Sequence, residues 1–178
     1  MKKIVLAILI LALCYQSANA ESYTGNKNNF SIVLNDDWTI IETPDMSTDV
    51  MFGCIAKSCD DSSNLAFGTF FNYQLKDGKQ SEFLMHANGS VITTNIRNNP
   101  FVKNLKILRE GRTKLGNTNA YEVLMSYEYT DGRKRIRHTF MTFNAGYVYN
   151  ISFHSTPTNY EKDFQLAKPV LSTFRFVK

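Results

Sequence analysis

The sequence predicts an α+β domain, a mostly antiparallel β-sheet flanked by helices. Three observations carry this. Alternating apolar and polar residues over 121–129, 134–143 and 147–153 are separated by Asp131-Gly132 and Ala145-Gly146, short turn signals that fold successive strands back on one another. Near the C-terminus the spacing becomes helical: Tyr160, Phe164, Ala167 and Leu171 form an apolar stripe behind the capping-box pattern Thr158-Asn159-Tyr160-Glu161. Thirteen Phe and nine Tyr suit a pleated, half-buried surface better than a helical bundle.

The chain opens with Lys2 and Lys3, an unbroken apolar run over 4–13, and Ala18-Asn19-Ala20, a small-x-small peptidase site. This is the pattern of a secretory signal peptide over residues 1–20, too short to span a bilayer. The mature chain is expected to begin near Glu21, to be periplasmic or secreted, and to make no stable membrane insertion. Cys14 raises a lipoprotein alternative, with the mature chain anchored there, but a lipobox has a small residue where Leu13 stands. Removing 20 of the 178 residues leaves 158, one domain able to bury roughly two thirds of its unfolded surface without a metal. Without Lys2 and Lys3, 18 basic residues face 16 acidic ones, a net charge of +2. That excess does not point to nucleic acid, and the longest basic block is Arg133-Lys134-Arg135.

Residues 21–28 form a polar leader, expected to be loose, and a single domain occupies 29–178. Phe30, Ile32 and Leu34 alternate with polar residues, and Asn35-Asp36-Asp37 turns the chain into Trp38-Thr39-Ile40-Ile41, which predicts a hairpin. Residues 50–56 and 65–73 are two further apolar strands joined through Cys54 and Cys59, the two cysteines of the mature chain. In an oxidising compartment these thiols are expected to pair as a structural staple, stabilising the fold by about 2 kcal/mol. A thioredoxin-like redox pair has two intervening residues where this one has four, and a metal site needs further ligands than this stretch supplies. Phe83, Ala87, Val91 and Asn95/Ile96 recur at a spacing near four, predicting one helix with Ser81 as its cap; Gly89 and the β-branched 91–94 run oppose it, and Asn98-Asn99-Pro100 ends it. Residues 102–115 are extended, and Gly116-Asn117 is a turn. Pro169 is expected to kink or end the last helix, and Phe174-Arg175-Phe176 to form a short closing strand.

The turns also predict register. A two-residue loop at Asp131-Gly132 pairs residues whose numbers sum to 263, placing Met125 opposite His138 and Val123 opposite Phe140. On the other face Glu128 then meets Arg135, and Ser126 meets Arg137. Ala145-Gly146 pairs numbers summing to 291, so that Phe140 faces Ile151 and Arg137 faces His154; a slip of one would set polar Asn150 against Phe140. The three strands are expected to share one buried face and one largely polar face.

That polar face carries the main candidate site. Arg133, Arg135 and Arg137 alternate along one strand beside His154, Ser152, Glu122 and Glu128, three cations that can grip an anionic ligand or partner. The competing reading is a solvated face of cross-strand ion pairs, each contributing about 0.2–1 kcal/mol. Leu124, Met141 and Phe143 at its far end predict partial cover by a helix. His138, on an apolar strand face, is expected to be a core histidine satisfied by a backbone carbonyl or a tyrosine. The chain has no G-x-S-x-G elbow, no H-E-x-x-H and no glycine-rich phosphate loop. His86, His138 and His154 lack ligand spacing, so neither metal nor cofactor is expected.

Two segments show a family resemblance. Phe30-Ser31-Ile32-Val33-Leu34 followed by Trp38 resembles the F-x-I-x-L-P-x-x-W opening of PsbP-like domains, the bacterial DcrB group among them, with Asn35 where proline is usual. Residues 147–153, Tyr160, Phe164 and Leu171-Ser172-Thr173-Phe174-Arg175-Phe176 resemble that family's closing strand, helix and S-F-x-F tail. The resemblance implies an α/β/α sandwich on a twisted, mostly antiparallel sheet, with an accessory or partner-binding role and no catalytic residues to carry over. The expectation is an exported, non-catalytic protein that binds a protein partner through Arg133, Arg135 and Arg137, with His154 tuning the contact near neutral pH. Two alternatives stand beside it. One is a small-molecule or lipid carrier with a cavity lined by Phe67, Phe71, Tyr127 and Phe140, and the other is a hydrolase without a recognisable signature.

Overall fold

A seven-stranded antiparallel sheet organises the chain. The computed structural model describes residues 21–25, 29–41, 50–60, 62–70 and 79–177; the expected signal peptide, Cys14 and Phe71 lie outside them. The strands are β1 (Glu21–Gly25), β2 (Phe30–Leu34), β3 (Trp38–Ile41), β4 (Val50–Cys54), β5 (Asn64–Phe70), β6 (Val102–Leu115), β7 (Thr118–Tyr129), β8 (Lys134–Asn144), β9 (Tyr147–Ser155) and β10 (Arg175–Phe176). The helices are α1 (Gln80–His86), α2 (Gly89–Ile92), α3 (Thr94–Arg97) and α4 (Tyr160–Ser172). The large sheet runs β3-β4-β5-β9-β8-β7-β6, and a small sheet runs β1-β2-β10.

The expected hairpin between residues 30–34 and 38–41 does not form. After the turn the chain changes sheets: β2 pairs with β1 and β10, while β3 pairs with β4. The leader is correspondingly ordered over Glu21–Gly25, which gives β2 an antiparallel neighbour. Alternation at Phe30, Ile32 and Leu34 reports a buried face but not which strand lies alongside. These residues pack inward onto the large sheet, with Phe30 stacked on Phe67 (centroids 5.2 Å) and on Phe174 (5.6 Å). Helix α4 joins the same layer: Phe164, Ala167, Val170 and Leu171 are buried in the main core with Phe140, Ile151 and Phe153. Pro169 sits inside α4 without ending it. So close to the C-terminus it removes a single helical donor, opposite the carbonyl of exposed Gln165.

The second face of the sheet is covered by three short helices where the spacing predicted one. Ala87 leaves the helical region at ψ 129°, and Thr93 separates α2 from α3. The cap also differs, since α1 starts at Gln80 and Lys79 occupies the N-cap. Phe83 packs on Phe143 and Val148, and Ile92 and Ile96 pack beside Val123, Met125 and Tyr127. Strong burial on both faces makes an α/β/α sandwich with β1-β2-β10 completing the α4 layer.

Cys54 and Cys59 are disulfide-bonded. The loop they close leads into a polar hub that locks α4 to the sheet. The Asp60 backbone N–H (3.2 Å) and the Ser63 hydroxyl (2.6 Å) donate to one oxygen of the fully buried Asp163 carboxylate. The expected capping box does not form: Asn159, not Thr158, is the N-cap, its side chain caps no helical N–H, and its Nδ2 donates to Asp60 (2.7 Å). Replacing Asp163 with alanine removes the acceptor of the Asp60 N–H and leaves the buried Ser63 hydroxyl only Ser155 (3.0 Å), and is expected to lower stability by about 2 kcal/mol. Denaturant titration checks this, and an unchanged midpoint and slope would contradict the hub.

Candidate functional site

The β7-β8 turn decides which side chains share a face. Gly132 N–H donates to the Tyr129 carbonyl (2.9 Å), and Tyr129 N–H donates to the Arg133 carbonyl (2.8 Å). The loop therefore holds three residues, Thr130, Asp131 and Gly132, with Gly132 left-handed at φ 89°. The Asp131 carboxylate accepts the Arg133 N–H at 3.0 Å and holds the turn. Pairing thus follows a sum of 262, Met125 opposite Arg137 and Leu124 opposite His138, one residue away from the expected register. The β8-β9 turn does hold two residues, Ala145 and Gly146 at φ 50° and 88°, and Phe140↔Ile151 and Arg137↔His154 pair as predicted.

This shift re-sorts the candidate site. Arg133, Arg135, Arg137 and His154 remain on one face with Ser152, beneath the α1–α3 layer, and the predicted cover at Met141 and Phe143 is supplied by α1. Glu122, Glu128 and Leu124 move to the opposite face. Exposed Arg133 is balanced locally: its Nε lies 2.7 Å from Asp131, and its guanidinium sits 5.1 Å above the Tyr129 ring. Half-buried Arg135 donates to the Ser62 hydroxyl (2.9 Å), which in turn donates to Asp60 (2.7 Å). These Ser62 bonds, side-chain first and then backbone, with support from Asn159 and Thr156, hold Asp60 down at about 2. Half-buried Arg137 donates through Nε to Ser152 (3.0 Å) and Thr139 (3.2 Å). Among the described residues no carboxylate lies within ion-pair distance of Arg135 or Arg137.

His154 does not behave as expected. Burial, reinforced by the Arg137 and Arg135 guanidiniums, pushes its imidazole down to about 3. It is neutral at pH 7 and does not change charge near neutral pH.

His138 lies on the other face, fully buried against Phe140 and Phe164. Its Nδ1 is 3.0 Å from the Tyr160 hydroxyl, the tyrosine partner the sequence suggested. Its Nε2 is 2.9 Å from Glu122, whose other oxygen lies 3.3 Å from Arg109 Nε. Burial lowers the His138 pKa against the pull of Glu122, so the ring is neutral, accepting from Tyr160 at Nδ1 and donating to Glu122 from Nε2. The 263 register set Glu122 on the arginine face, so the sequence did not show it as the partner of His138. The carrier residues are not gathered either: among the described residues Phe67 sits inside the closed core, while Tyr127 and Phe140 line two separate open cavities. Among the described residues, no three His, Cys, Asp or Glu side chains cluster as metal ligands, and no helix is long and apolar enough to cross a membrane.

His138 and His154 both titrate lower in the fold than in the unfolded chain. As pH falls below about 6.5 the unfolded chain takes up protons first, so the stability present above that pH is progressively lost. The slope from His154 reaches about 1.4 kcal/mol per pH unit, and His138 adds to it with the same sign. Urea midpoints are expected to fall between pH 7 and pH 5, and His154→Gln to flatten that fall. A midpoint that rises on acidification would contradict the two buried neutral rings.

No protein-family model matches the sequence, and no curated protein does. Solved structures do match by shape. Cyanobacterial PsbP (CyanoP) from Synechocystis sp. PCC 6803 superposes with a TM-score of 0.62 at 13% identity, over 92% of this chain and 95% of that one. The Saccharomyces cerevisiae Ran-binding protein Mog1p gives 0.59 at 10% identity over 91% and 97%. LpqN of Mycobacterium tuberculosis, involved in cell envelope biogenesis, gives 0.57 at 11% over 92% and 88%. The two-sided sheet, the long closing helix and the small N-terminal sheet are together a PsbP-like fold.

Proposed function

We propose that this is an exported, non-catalytic accessory protein that binds a macromolecular partner presenting an acidic surface, through Arg133, Arg135 and Arg137. The carrying observation is that Arg135 and Arg137 meet only hydroxyl groups among the described residues. A guanidinium held in a partly desolvated place, with forked donors and no carboxylate, gains most from an incoming carboxylate or phosphate. His154 contributes a neutral ring between these cations, a hydrogen-bonding element of the contact. Shape similarity to a Ran-binding protein and to an envelope-biogenesis protein supports a binding role. The buried Glu122–His138–Tyr160 chain spends both ring nitrogens inside the core, which supports a structural use of the histidine over a catalytic one. Export is supported by the basic-apolar-small pattern of residues 1–20 and by the Cys54–Cys59 bond, a bond that persists in oxidising compartments.

A photo-crosslinker at exposed Thr130, beside the arginine row, is expected to trap a partner in producing cells, whereas one at Lys162 on α4 is not. Arg133→Ser/Arg135→Ser should reduce the adduct at least tenfold while the domain stays folded by circular dichroism, and added salt should reduce it as well. Equal trapping from both positions, or an adduct indifferent to the substitutions, would remove the arginine surface. N-terminal sequencing of the mature protein should begin near Glu21; a chain retaining residues 1–20 would remove the export claim alone.

A further inference from the structure

A cavity of about 310 Å³ opens between α4 and the outer half of the large sheet, on the face opposite the arginine row. Its floor is apolar: Leu115, Phe140, Phe164 and Leu171 line it beside the His138 ring. Its other lining residues include three cations from two elements, Arg109 and Lys114 on β6 and Lys168 on α4. One carboxylate, Glu122, lines it, and both of its oxygens are engaged internally by Arg109 and His138. The lining thus carries a surplus of two positive charges. Neither lysine is ion-paired with a carboxylate among the described residues; Lys168 reaches the Gln165 side-chain oxygen (3.1 Å) and lies 5.4 Å above the Phe164 ring. Gly116 lines the same mouth at φ 54°, so close to the Phe174 carbonyl that a Cβ there would lie 2.0 Å from its oxygen. A side chain at that position would displace the wall.

We propose that this cavity binds a small amphiphilic anion, a single carboxylate or phosphate monoester head on a short apolar body. The aromatic and leucine floor offers the body a dry surface. The two lysines supply the head with charge that Glu122 does not cancel, and a cationic head meets their repulsion. The volume lies at the small end of ligand pockets, roughly 300–1,000 Å³. At roughly 30 Å³ per heavy atom, as for liquid water, it takes about ten heavy atoms. That admits a medium-chain carboxylate and not a two-chain lipid. The site lies across the sheet from the proposed partner surface and stands or falls independently of it.

Titration of the purified protein with octanoate, followed by calorimetry and by side-chain NMR, tests the assignment. Octanoate and octyl phosphate should each saturate one site, with perturbations centred on Phe140, Phe164 and His138. Octanol and inorganic phosphate should bind at least tenfold more weakly, and octylamine not at all. Lys114→Glu/Lys168→Glu, two exchanges at exposed positions, should weaken octanoate at least tenfold while leaving the melting temperature in place. Equal binding of octanoate and octanol, indifference to the charge reversal, or perturbations confined to the arginine row would each overturn the proposal. So would the absence of saturable octanoate binding.

Discussion

One left-handed glycine sets the chemistry of both faces. Gly132 adds a third residue to the β7-β8 loop, and that residue moves the pairing by one. Side-chain direction alternates along a strand, so a one-residue slip transfers every β8 side chain relative to β7. With the observed pairing, His138 shares a face with Glu122 and meets Tyr160 from α4. Arg137 instead shares a face with Met125 and Tyr127 and looks across to His154. A two-residue loop would have brought His138 beside Met125 and left Glu122 facing the arginines, neutralising them.

The separation has energetic consequences. On the α4 side a buried histidine is tolerable because both nitrogens are satisfied, by Tyr160 and by Glu122, and Arg109 balances the carboxylate. This polar chain ties β6, β7, β8 and α4 together inside an aromatic core. The Asp163 hub fastens the same N-terminal turn of α4, with Asp60 extending it to Asn159 and, through Ser62, to Arg135. On the far face the short helices cover the apolar ends of the strands at Phe143 and Val123. Beside them lies the polar row, in which Arg137 meets the Ser152 and Thr139 hydroxyls and His154 lies in the field of Arg137 and Arg135. Burial, reinforced by that field, silences His154 near neutral pH.

Much of this was legible in the sequence. Strands β4 to β9, the closing helix, the terminal strand and the Ala145-Gly146 register follow from alternation, turn residues and an amphipathic stripe, all local signals. The failures came where the deciding contact was distant. Residues 30–34 alternate correctly, yet nothing local says that their partners are Glu21–Gly25 and Arg175–Phe176. Asp131-Gly132 serves loops of two or three residues equally well, so the dipeptide located the hairpin without settling its register. The Thr158–Glu161 pattern reads as a capping box, yet the helix starts behind Asn159, which is recruited by Asp60, ninety-nine positions away. The arginine row itself was visible as alternation; its lack of carboxylate partners required the corrected register.

Side-chain NOEs around His138 test this account most directly, because they report the face on which each residue stands. The observed pairing predicts contacts from the His138 ring to Phe164, whose centroid is 4.7 Å away, and to Tyr160, with Arg137 close to Ser152. Contacts between the His138 ring and the Met125 methyl would place the histidine on the helix-covered face beside α2 and α3. The assignments of both faces would then be wrong.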